Sequence, residues 1–283
     1  MPQLSNDPAA AKVDLHCHST ASDGLLSPTE LVAKALAAGL RVIALTDHDT
    51  VEGVPEAQTA AATTGLEVIP GIELSSSSGS HELHILGYFV DQDSKRLNDH
   101  TRWCQEKRVE RIGRMCQRLD SLGLPVSFDQ VLALSGSGSV GRPHIGQVMI
   151  AHGYVDSIGE AFNRYLATGR PALIPRENVT PVLAITAIND AHGVAVLAHP
   201  LFTAKFQQLL PGLHNDGLVG LEAFYGEYDQ PTRDRLASVA RQHGLIPTGG
   251  SDYHGDGFKE GRGLGSVHVP PSVVDELRNA AGQ

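Results

Sequence analysis

The sequence is poor in cysteine. Three cysteines among 283 residues exclude a disulfide framework of the kind that stabilises small secreted domains. Cys104 and Cys116 fall in one predicted helix, where a rise of about 1.5 Å per residue places them roughly 18 Å apart, too far for a bridge. Cys17 falls on a predicted strand and points away from its histidine neighbours. We therefore expect a reduced, cytoplasmic protein.

Signals for membranes and for two enzyme classes are also missing. No apolar run reaches the roughly 18–20 residues that span a bilayer. The N-terminal segment has no basic patch followed by an apolar stretch, so no signal peptide is expected. The sequence contains neither the GxSxG elbow of serine hydrolases nor the GxxxxGK[ST] loop of P-loop NTPases. We expect no membrane partner, and these two hydrolase classes are disfavoured.

Basic residues are scarce relative to acidic ones. The net charge of −10 argues against a protein that coats nucleic acid without specificity. The charge is uneven, however, because residues 100–178 hold ten basic and seven acidic side chains. A segment with a net charge of +3 therefore lies inside an otherwise strongly acidic protein.

Short β-rich runs alternate with helical patterns, which is typical of βα units around a largely parallel sheet. Ser27, Pro28, Glu30 and Gly39 give the first helix a capping box, a proline in its first turn and a glycine stop. The predicted strands are 13–18, 41–46, 66–70, 82–90, 194–198, 218–224 and 245–249.

The alternation breaks between about 97 and 178. A long basic helix is followed there by a Gly/Ser loop and by shorter helical pieces. This pattern indicates a small helical domain inserted in a β/α barrel. We expect residues 12–96 and 179–283 to form the barrel and residues 97–178 to form the insertion.

Metal-type side chains gather where the predicted strands end. Asp14, His16 and His18 share one face of the first strand, and two imidazoles spaced in this way can hold a metal ion. Comparable residues lie in, or just beyond, the other strands: Asp23, His48, Glu73, His84, His199, Asp252 and His254. Because β/α barrels build their active sites at the carboxyl ends of the strands, this pattern predicts a metal centre. Glu222 is expected to support the ligands rather than to bind metal.

Four motif groups resemble the polymerase and histidinol phosphatase (PHP) superfamily. They are DLHCH with a following SDG, TDHD, PGIE, and AHP with GSDYH. The resemblance covers residues 12–95 and about 180–270, with GRPH (141–144) inside the insertion. It implies a distorted seven-stranded β/α barrel that carries a trinuclear metal centre and hydrolyses phosphate esters.

The resemblance also implies how the ligands are divided among the ions. The three sets are His16, His18, Glu73 and Asp252; Glu73, His84 and His199; and Asp23, His48 and His254. Two to three divalent ions are expected, and mixed histidine and carboxylate ligation suits Mn²⁺, Fe²⁺ or Zn²⁺ better than Mg²⁺ alone. Glu73, Asp252 and His199 are the expected catalytic residues, with Glu73 letting two ions share one hydroxide.

An insertion that carries GRPH resembles the branch of this superfamily that acts on small nucleotides. The implied substrate is a nucleoside 3′,5′-bisphosphate or the 5′ end of a short RNA, with no obligate protein partner. Arg142, His144 and Arg176 are then expected to meet substrate phosphate. Two alternatives remain open at this point: a phosphatase for a small phosphomonoester such as histidinol phosphate, and a metal-stabilised interaction module without turnover.

Overall fold

The computed structural model describes residues 12–78, 81–176, 179–203, 205–258 and 261–283; the N-terminal segment considered above lies outside them. Within these ranges one sheet follows the order of the chain. Its strands are β1 (Lys12–Cys17), β2 (Leu40–Leu45), β3 (Glu67–Ser78), β4 (His81–Tyr88), β5 (Val194–Leu197), β6 (Leu218–Tyr225) and β7 (Ile246–Gly250). The His18 amide donates to the Tyr253 carbonyl just beyond β7 (2.8 Å), so the sheet curls into a nearly closed barrel.

Strand β4 runs antiparallel to both of its neighbours, whereas the other neighbouring pairs are parallel. Its first residues therefore lie at the end of the barrel where the parallel strands finish. Ser75 of β3 pairs with His84 of β4 in this register, which explains how a histidine near the start of a strand reaches the same end. The predicted seven-stranded α/β barrel is confirmed, with this one strand reversed.

The helices lie between and beyond the strands. In chain order they are α1 (Pro28–Ala37), α2 (Val54–Ala61), α3 (Lys95–Ser121), α4 (Phe128–Ser135), α5 (Arg142–Ala151), α6 (Ile158–Ala161), α7 (Pro181–Asp190), α8 (Phe206–Asn215), α9 (Gln230–Gln242) and α10 (Ser272–Ala280). A π-helical turn (Phe162–Leu166) and a 3₁₀ turn (Pro200–Phe202) complete them. None of the described helices combines the length and the apolar character needed to cross a membrane.

The first helix forms as its sequence predicts. The Ser27 hydroxyl accepts a hydrogen bond from the Glu30 amide (3.2 Å), and the Glu30 carboxylate accepts one from the Ser27 amide (2.8 Å). Gly39 follows with φ of +77°, a conformation that glycine adopts without strain. The capping box and the glycine stop are confirmed.

Alternation along the strands separates two apolar clusters. On β4, Leu86 and Tyr88 share a face with His84 and belong to one cluster, whereas Leu83 and Ile85 belong to the other. The first cluster fills the barrel beneath His84, and the second lies between the strands and the surrounding helices. Cys17 belongs to the second cluster, so its predicted position away from the histidines is confirmed.

Helix α3 connects the barrel to the helices that follow it. It begins at Lys95, earlier than the predicted basic helix. Leu97 in its first turn packs into the second cluster, between the strands and the surrounding helices. From Ile112 onward the buried face of α3 contributes to a third apolar cluster, which extends to Ala172. The helices after α3 thus have an apolar core of their own.

Candidate active site

The nine predicted ligand residues meet at one end of the barrel. They come from β1 and its following loop, from the ends of β2, β5 and β7, and from within β3 and β4. The predicted position of Glu73 was wrong in one respect. The third strand was predicted to end at residue 70, so Glu73 was expected to follow it. Strand β3 continues to Ser78, and Glu73 therefore lies inside it, facing the barrel interior.

The carboxylate of Glu73 lies at the centre of this group and is almost fully buried. Five imidazole nitrogens lie within 3.3 Å of its oxygens, from His16, His18, His48, His84 and His199. Burial alone would raise the pKa of Glu73, but the surrounding histidines hold it well below its usual range. A carboxylate whose two oxygens face different histidines is suited to bridge two cations.

Ligand atoms fall into three groups, each within 4.8 Å. The groups are His16, His18, Glu73 and Asp252; His18, Asp23, His48 and His254; and His48, Glu73 and His84. The first equals a predicted set, and the second equals another with His18 added. In the third, His48 joins Glu73 and His84, while the Nε2 of His199 lies 3.1 Å from Glu73 Oε1. The structure thus brings all nine residues together.

Several of these atoms are buried without a hydrogen-bond partner. Both ring nitrogens of His18, Nδ1 of His48 and Oδ1 of Asp23 are in this state. His18 Nε2 lies 3.2 Å from the carboxylates of Glu73 and Asp252, but without hydrogen-bond geometry. Because buried polar atoms left without partners are costly, this donor set fits divalent cations, and its mixture of imidazole and carboxylate suits Mn²⁺, Fe²⁺ or Zn²⁺.

Glu222 supports two of the histidines from beneath. Its Oε1 lies 2.9 Å from His16 Nδ1, and its Oε2 accepts a hydrogen bond from the His199 backbone amide (2.7 Å). The Glu222 side chain is fully buried. A carboxylate on the outer nitrogen of a histidine fixes the ring and its tautomer, so Glu222 has the supporting position that the sequence indicated.

Two further buried carboxylates hold the loops that carry ligands. Asp47 accepts hydrogen bonds from the backbone and hydroxyl of Ser19 (both 2.7 Å) and from the hydroxyl of Ser22 (2.6 Å). Asp14 accepts hydrogen bonds from the backbone (2.8 Å) and the hydroxyl (2.6 Å) of Ser251. Asp14 and Asp47 therefore fix the backbone next to Asp23 and Asp252.

The backbone is strained at three points around the site. His199, Asp252 and Asp49 have φ values of +24°, +55° and +52°, which residues other than glycine rarely adopt. Such conformations cluster at functional sites, where surrounding hydrogen bonds hold them. Here the His199 amide is held by Glu222, and the Asp49 amide donates to the Glu73 carbonyl (3.0 Å).

Asp252 faces the histidines with one oxygen and a cation with the other. Its Oδ1 lies 3.2 Å from His18, while its Oδ2 accepts hydrogen bonds from the Tyr225 hydroxyl (2.8 Å) and contacts Arg262 (2.6 Å). Burial would raise the pKa of Asp252, but the Arg262 guanidinium, first among its charged neighbours, holds that pKa well below its usual range. Arg262 was not predicted, since no local pattern marks it.

A cluster of arginines between positions 108 and 176 faces this centre. Arg108 donates to Asp49 and to the Ser75 hydroxyl (2.7 Å). Glu82 pairs with both Arg111 and Arg142, the latter at 2.9 Å. The fourth arginine is Arg176, and among the described residues the carboxylates that pair with these four guanidinium groups are those of Asp49 and Glu82.

Arg176 is the least satisfied member of this cluster. Its Nη1 lies 3.7 Å from Asp49, and neither its Nε nor its Nη1 makes a hydrogen bond although both are buried. Burial and the neighbouring Arg108 lower its pKa to about 10, so the side chain stays charged at neutral pH. It therefore has N–H groups available for an anion.

A cavity of about 530 Å³ separates the metal-type residues from the arginines. Arg142 and Arg176, two of the residues expected to meet substrate, both line it. His144 is not among the described residues that line this cavity, and its expected contact with substrate phosphate stays a prediction. Instead its Nδ1 accepts a hydrogen bond from the Gly141 amide (2.9 Å) and caps the start of α5. His144 of the GRPH motif thus stabilises the start of the helix in which it lies.

The chain matches a known protein family. The sequence profile of the family described as PHP domain matches residues 14–168. The chain belongs to the PHP domain family. The resemblance of the four motif groups is thereby confirmed.

Relatives across the family share most of their length with this PHP protein. A 5′-3′ exoribonuclease of Haemophilus influenzae is 38% identical, over 86% of this chain and 90% of its own. A 3′,5′-nucleoside bisphosphate phosphatase of Chromobacterium violaceum is 32% identical, over 93% and 94% respectively. The crystal structure of a candidate metal-dependent phosphoesterase from Bifidobacterium adolescentis superimposes with a TM-score of 0.87 at 31% identity, covering 97% of this chain and 98% of that one. This PHP protein is accordingly an enzyme of the phosphoesterase class.

Proposed function

We propose that the chain hydrolyses a phosphate ester of a small nucleotide, either a nucleoside 3′,5′-bisphosphate or the 5′ end of a short RNA. The observation that carries the proposal is a cavity with two separate regions that attract anions. One is the group of metal-type residues around Glu73, and the other is the arginine cluster of the inserted segment. A molecule with two phosphates has one group for each region.

The nine residues at the barrel end are proposed to hold two to three divalent ions. Such ions supply Lewis acidity, because they neutralise phosphate charge and make water more acidic. Glu73 lies where it can join two ions, and it is proposed as a catalytic residue together with Asp252 and His199. Tyr225 and Arg262 fix one oxygen of Asp252 and leave the other directed at the centre.

Residues 97–178 are proposed to act as a cap that binds the second phosphate. Arg176 has buried N–H groups without a hydrogen-bond partner, and Arg142 lies beside it in the cavity lining. Guanidinium groups bind phosphate through paired, charge-assisted hydrogen bonds. Substrate phosphate would supply the acceptors that Arg176 lacks.

The arginine cluster favours a nucleotide over histidinol phosphate. Histidinol phosphate carries one phosphate and an ammonium group, so its second charge would face four guanidinium groups, which among the described residues pair with the carboxylates of Asp49 and Glu82. Like charges in a partly buried cavity repel strongly. A non-catalytic interaction module is not retained, because the relatives are enzymes.

The test compares hydrolysis of adenosine 3′,5′-bisphosphate, a short 5′-phosphorylated RNA, histidinol phosphate and p-nitrophenyl phosphate with Mn²⁺ supplied. Arg142→Ala and Arg176→Ala each remove charge-assisted hydrogen bonds worth roughly 1.5–3 kcal/mol, so kcat/KM for the bisphosphate should fall about 10- to 100-fold. The loss on p-nitrophenyl phosphate should be smaller. Arg164→Ala is the matched control, because this exposed arginine lies in the same segment and pairs with Glu160.

Two results would count against the proposal. Equal losses on the bisphosphate and on p-nitrophenyl phosphate would mean that the arginines serve the phosphate being cleaved. Preference of the wild-type enzyme for histidinol phosphate over both nucleotide substrates would overturn the substrate class.

A further inference from the structure

The Gly/Ser loop (135–141) leads from α4 to α5 and packs directly on the loop that follows β1. The Ser139 amide donates to the Ala21 carbonyl (2.9 Å). A methyl group on Gly138 would lie 2.7 Å from the Thr20 carbonyl oxygen and 2.8 Å from that of Ala21. Because non-bonded heavy atoms rest about 3.5–4.0 Å apart, a glycine is what allows the two backbones to meet here.

Gly141, at the end of the same loop, makes a similar close approach to the carboxylate of Asp23. Its φ of −137° and ψ of 172° are extended, a conformation open to any residue, so the backbone does not explain the glycine. A methyl group at this position would lie 2.8 Å from Asp23 Oδ2. The absence of a side chain at Gly141 therefore leaves room for that oxygen.

The Asp23 carboxylate is buried and faces three histidines. Its Oδ1 lies 3.4 Å from His254 Nε2 and 4.0 Å from His18 Nδ1, while its Oδ2 lies 3.9 Å from His48 Nε2. Oδ1 has no hydrogen-bond partner. The groups packed around the carboxylate therefore decide how it is oriented, and Gly141 is one of them.

Hydrogen bonds hold Gly141 and the residue before it in this position. The Gly141 amide donates to His144 Nδ1 (2.9 Å), which closes the first turn of α5. The Val140 carbonyl accepts a hydrogen bond from Arg108 (3.2 Å), whose guanidinium also pairs with Asp49. The wall against which Asp23 packs is thus fixed on both sides of the peptide that joins Val140 to Gly141.

We propose that Gly141 sets the orientation of Asp23 and thereby the affinity of one ion site. That site comprises Asp23, His48 and His254, and the inference rests on the proposed function, which places ions at the barrel end. Gly141 acts by leaving space for the carboxylate, and His144 acts by holding Gly141. Both are positioning residues of the GRPH motif, because each acts on the ion through Asp23.

The experiment counts Mn²⁺ ions by elemental analysis after desalting and measures their affinities by calorimetric titration of chelator-stripped protein, without substrate. Asp23→Asn is the reference, because it weakens the ligand itself and should lose one ion. Gly141→Ala should weaken that same ion about 10- to 100-fold, the usual effect of losing a group that supports a ligand, and leave the other ions unchanged. The fold should survive, since the end of the Asp23 side chain can rotate away from the methyl group. Gly146→Ala in α5 is the matched control, because a methyl group there would lie 3.5 Å from the Ala161 side chain, an ordinary contact.

A second pair of variants tests the inference without adding atoms at position 141. His144→Ala removes the acceptor of the Gly141 amide and should weaken the same ion. His144→Gln should restore its affinity, since glutamine at the third position of a helix accepts from the amide of the capping residue. If Gly141→Ala does not fold, this pair decides.

Three results would overturn the inference: unchanged Mn²⁺ affinity in Gly141→Ala, equal weakening of every ion in that variant, or an Asp23→Asn protein that keeps all its ions. The titration contains no substrate, so its outcome is separate from that of the proposed function. A wild-type enzyme that hydrolyses no nucleotide would overturn the proposed function and leave the role of Gly141 standing.

Discussion

Replacing Glu222 with glutamine keeps the side-chain volume but removes one charge from beneath the metal-type residues. The carboxylate lies 2.9 Å from His16 Nδ1 and accepts a hydrogen bond from the His199 amide (2.7 Å). A glutamine amide has one acceptor oxygen, so it can serve only one of these two groups. The amide NH₂ then faces the other group and cannot accept from it.

Glu222→Gln should lower both the stability of the protein and its affinity for Mn²⁺. One hydrogen bond to a charged group contributes about 1.5–3 kcal/mol, so the metal-free protein should lose that much free energy of unfolding. If the amide NH₂ faces His16, it selects the tautomer with the proton on Nε2, the nitrogen that lies 3.3 Å from Glu73. A supporting partner of this kind is worth about 10- to 100-fold in metal affinity. We expect Mn²⁺ affinity to fall by that factor.

The assay is calorimetric titration of Mn²⁺ into protein stripped by a chelator, together with urea unfolding in the chelator. Val196→Ala is the matched control, because Val196 is fully buried inside the same barrel and contacts no ligand through a polar group. It should lower the free energy of unfolding by about 2 kcal/mol with Mn²⁺ affinity preserved. If Glu222→Gln leaves Mn²⁺ affinity within about twofold of wild type, the supporting role is refuted.

Three more predictions concern the metals and the arginine cluster. Protein purified without chelator and reconstituted with Mn²⁺ should contain two to three ions by elemental analysis; one ion or none would contradict the ligand assignment. Glu73→Gln should lower kcat by several orders of magnitude, because Glu73 faces five histidines, with circular dichroism unchanged; activity within about tenfold of wild type with metals retained would exclude the bridging role. Asp49→Asn leaves Arg108 buried beside a neutral amide, so urea denaturation should show a loss of about 3–5 kcal/mol. A loss below about 1 kcal/mol would mean that the pair contributes little.

Much of the barrel end could be predicted because its information is local. Two histidines spaced for one face of a strand, and ligand-type residues at the ends of successive strands, indicated a metal centre. The resemblance carried by these short motifs then implied the nine residues that meet at the barrel end. The capping box of α1 was readable for the same reason, since Ser27 and Glu30 are three residues apart. The position of Glu73 inside β3 could not be predicted in this way, because the length of β3 depends on its pairing with β4 and not on the sequence of β3 alone.

The arginine cluster was harder to predict, although one signal was present. The buried positions of α3 include Leu97, Thr101, Cys104, Arg108, Arg111 and Met115, which recur every three or four residues. Two arginines therefore occupy an apolar stripe, where charge is unexpected unless it is paired. Their partners are far away in the chain: Asp49 lies 59 residues before Arg108, and Glu82 lies 29 residues before Arg111. A basic helix taken alone is compatible with a solvated face.

Glu82 limits how freely this barrel could be recombined with other helical segments. It belongs to β4, yet its carboxylate pairs with Arg111 of α3 and Arg142 of α5. A chimera that grafted residues 97–178 onto a barrel with an apolar residue at this position would import two guanidinium groups without their counterion. Residues 97–178 therefore cannot be exchanged as an independent module, and any working graft would have to carry the acidic residue of β4 with it.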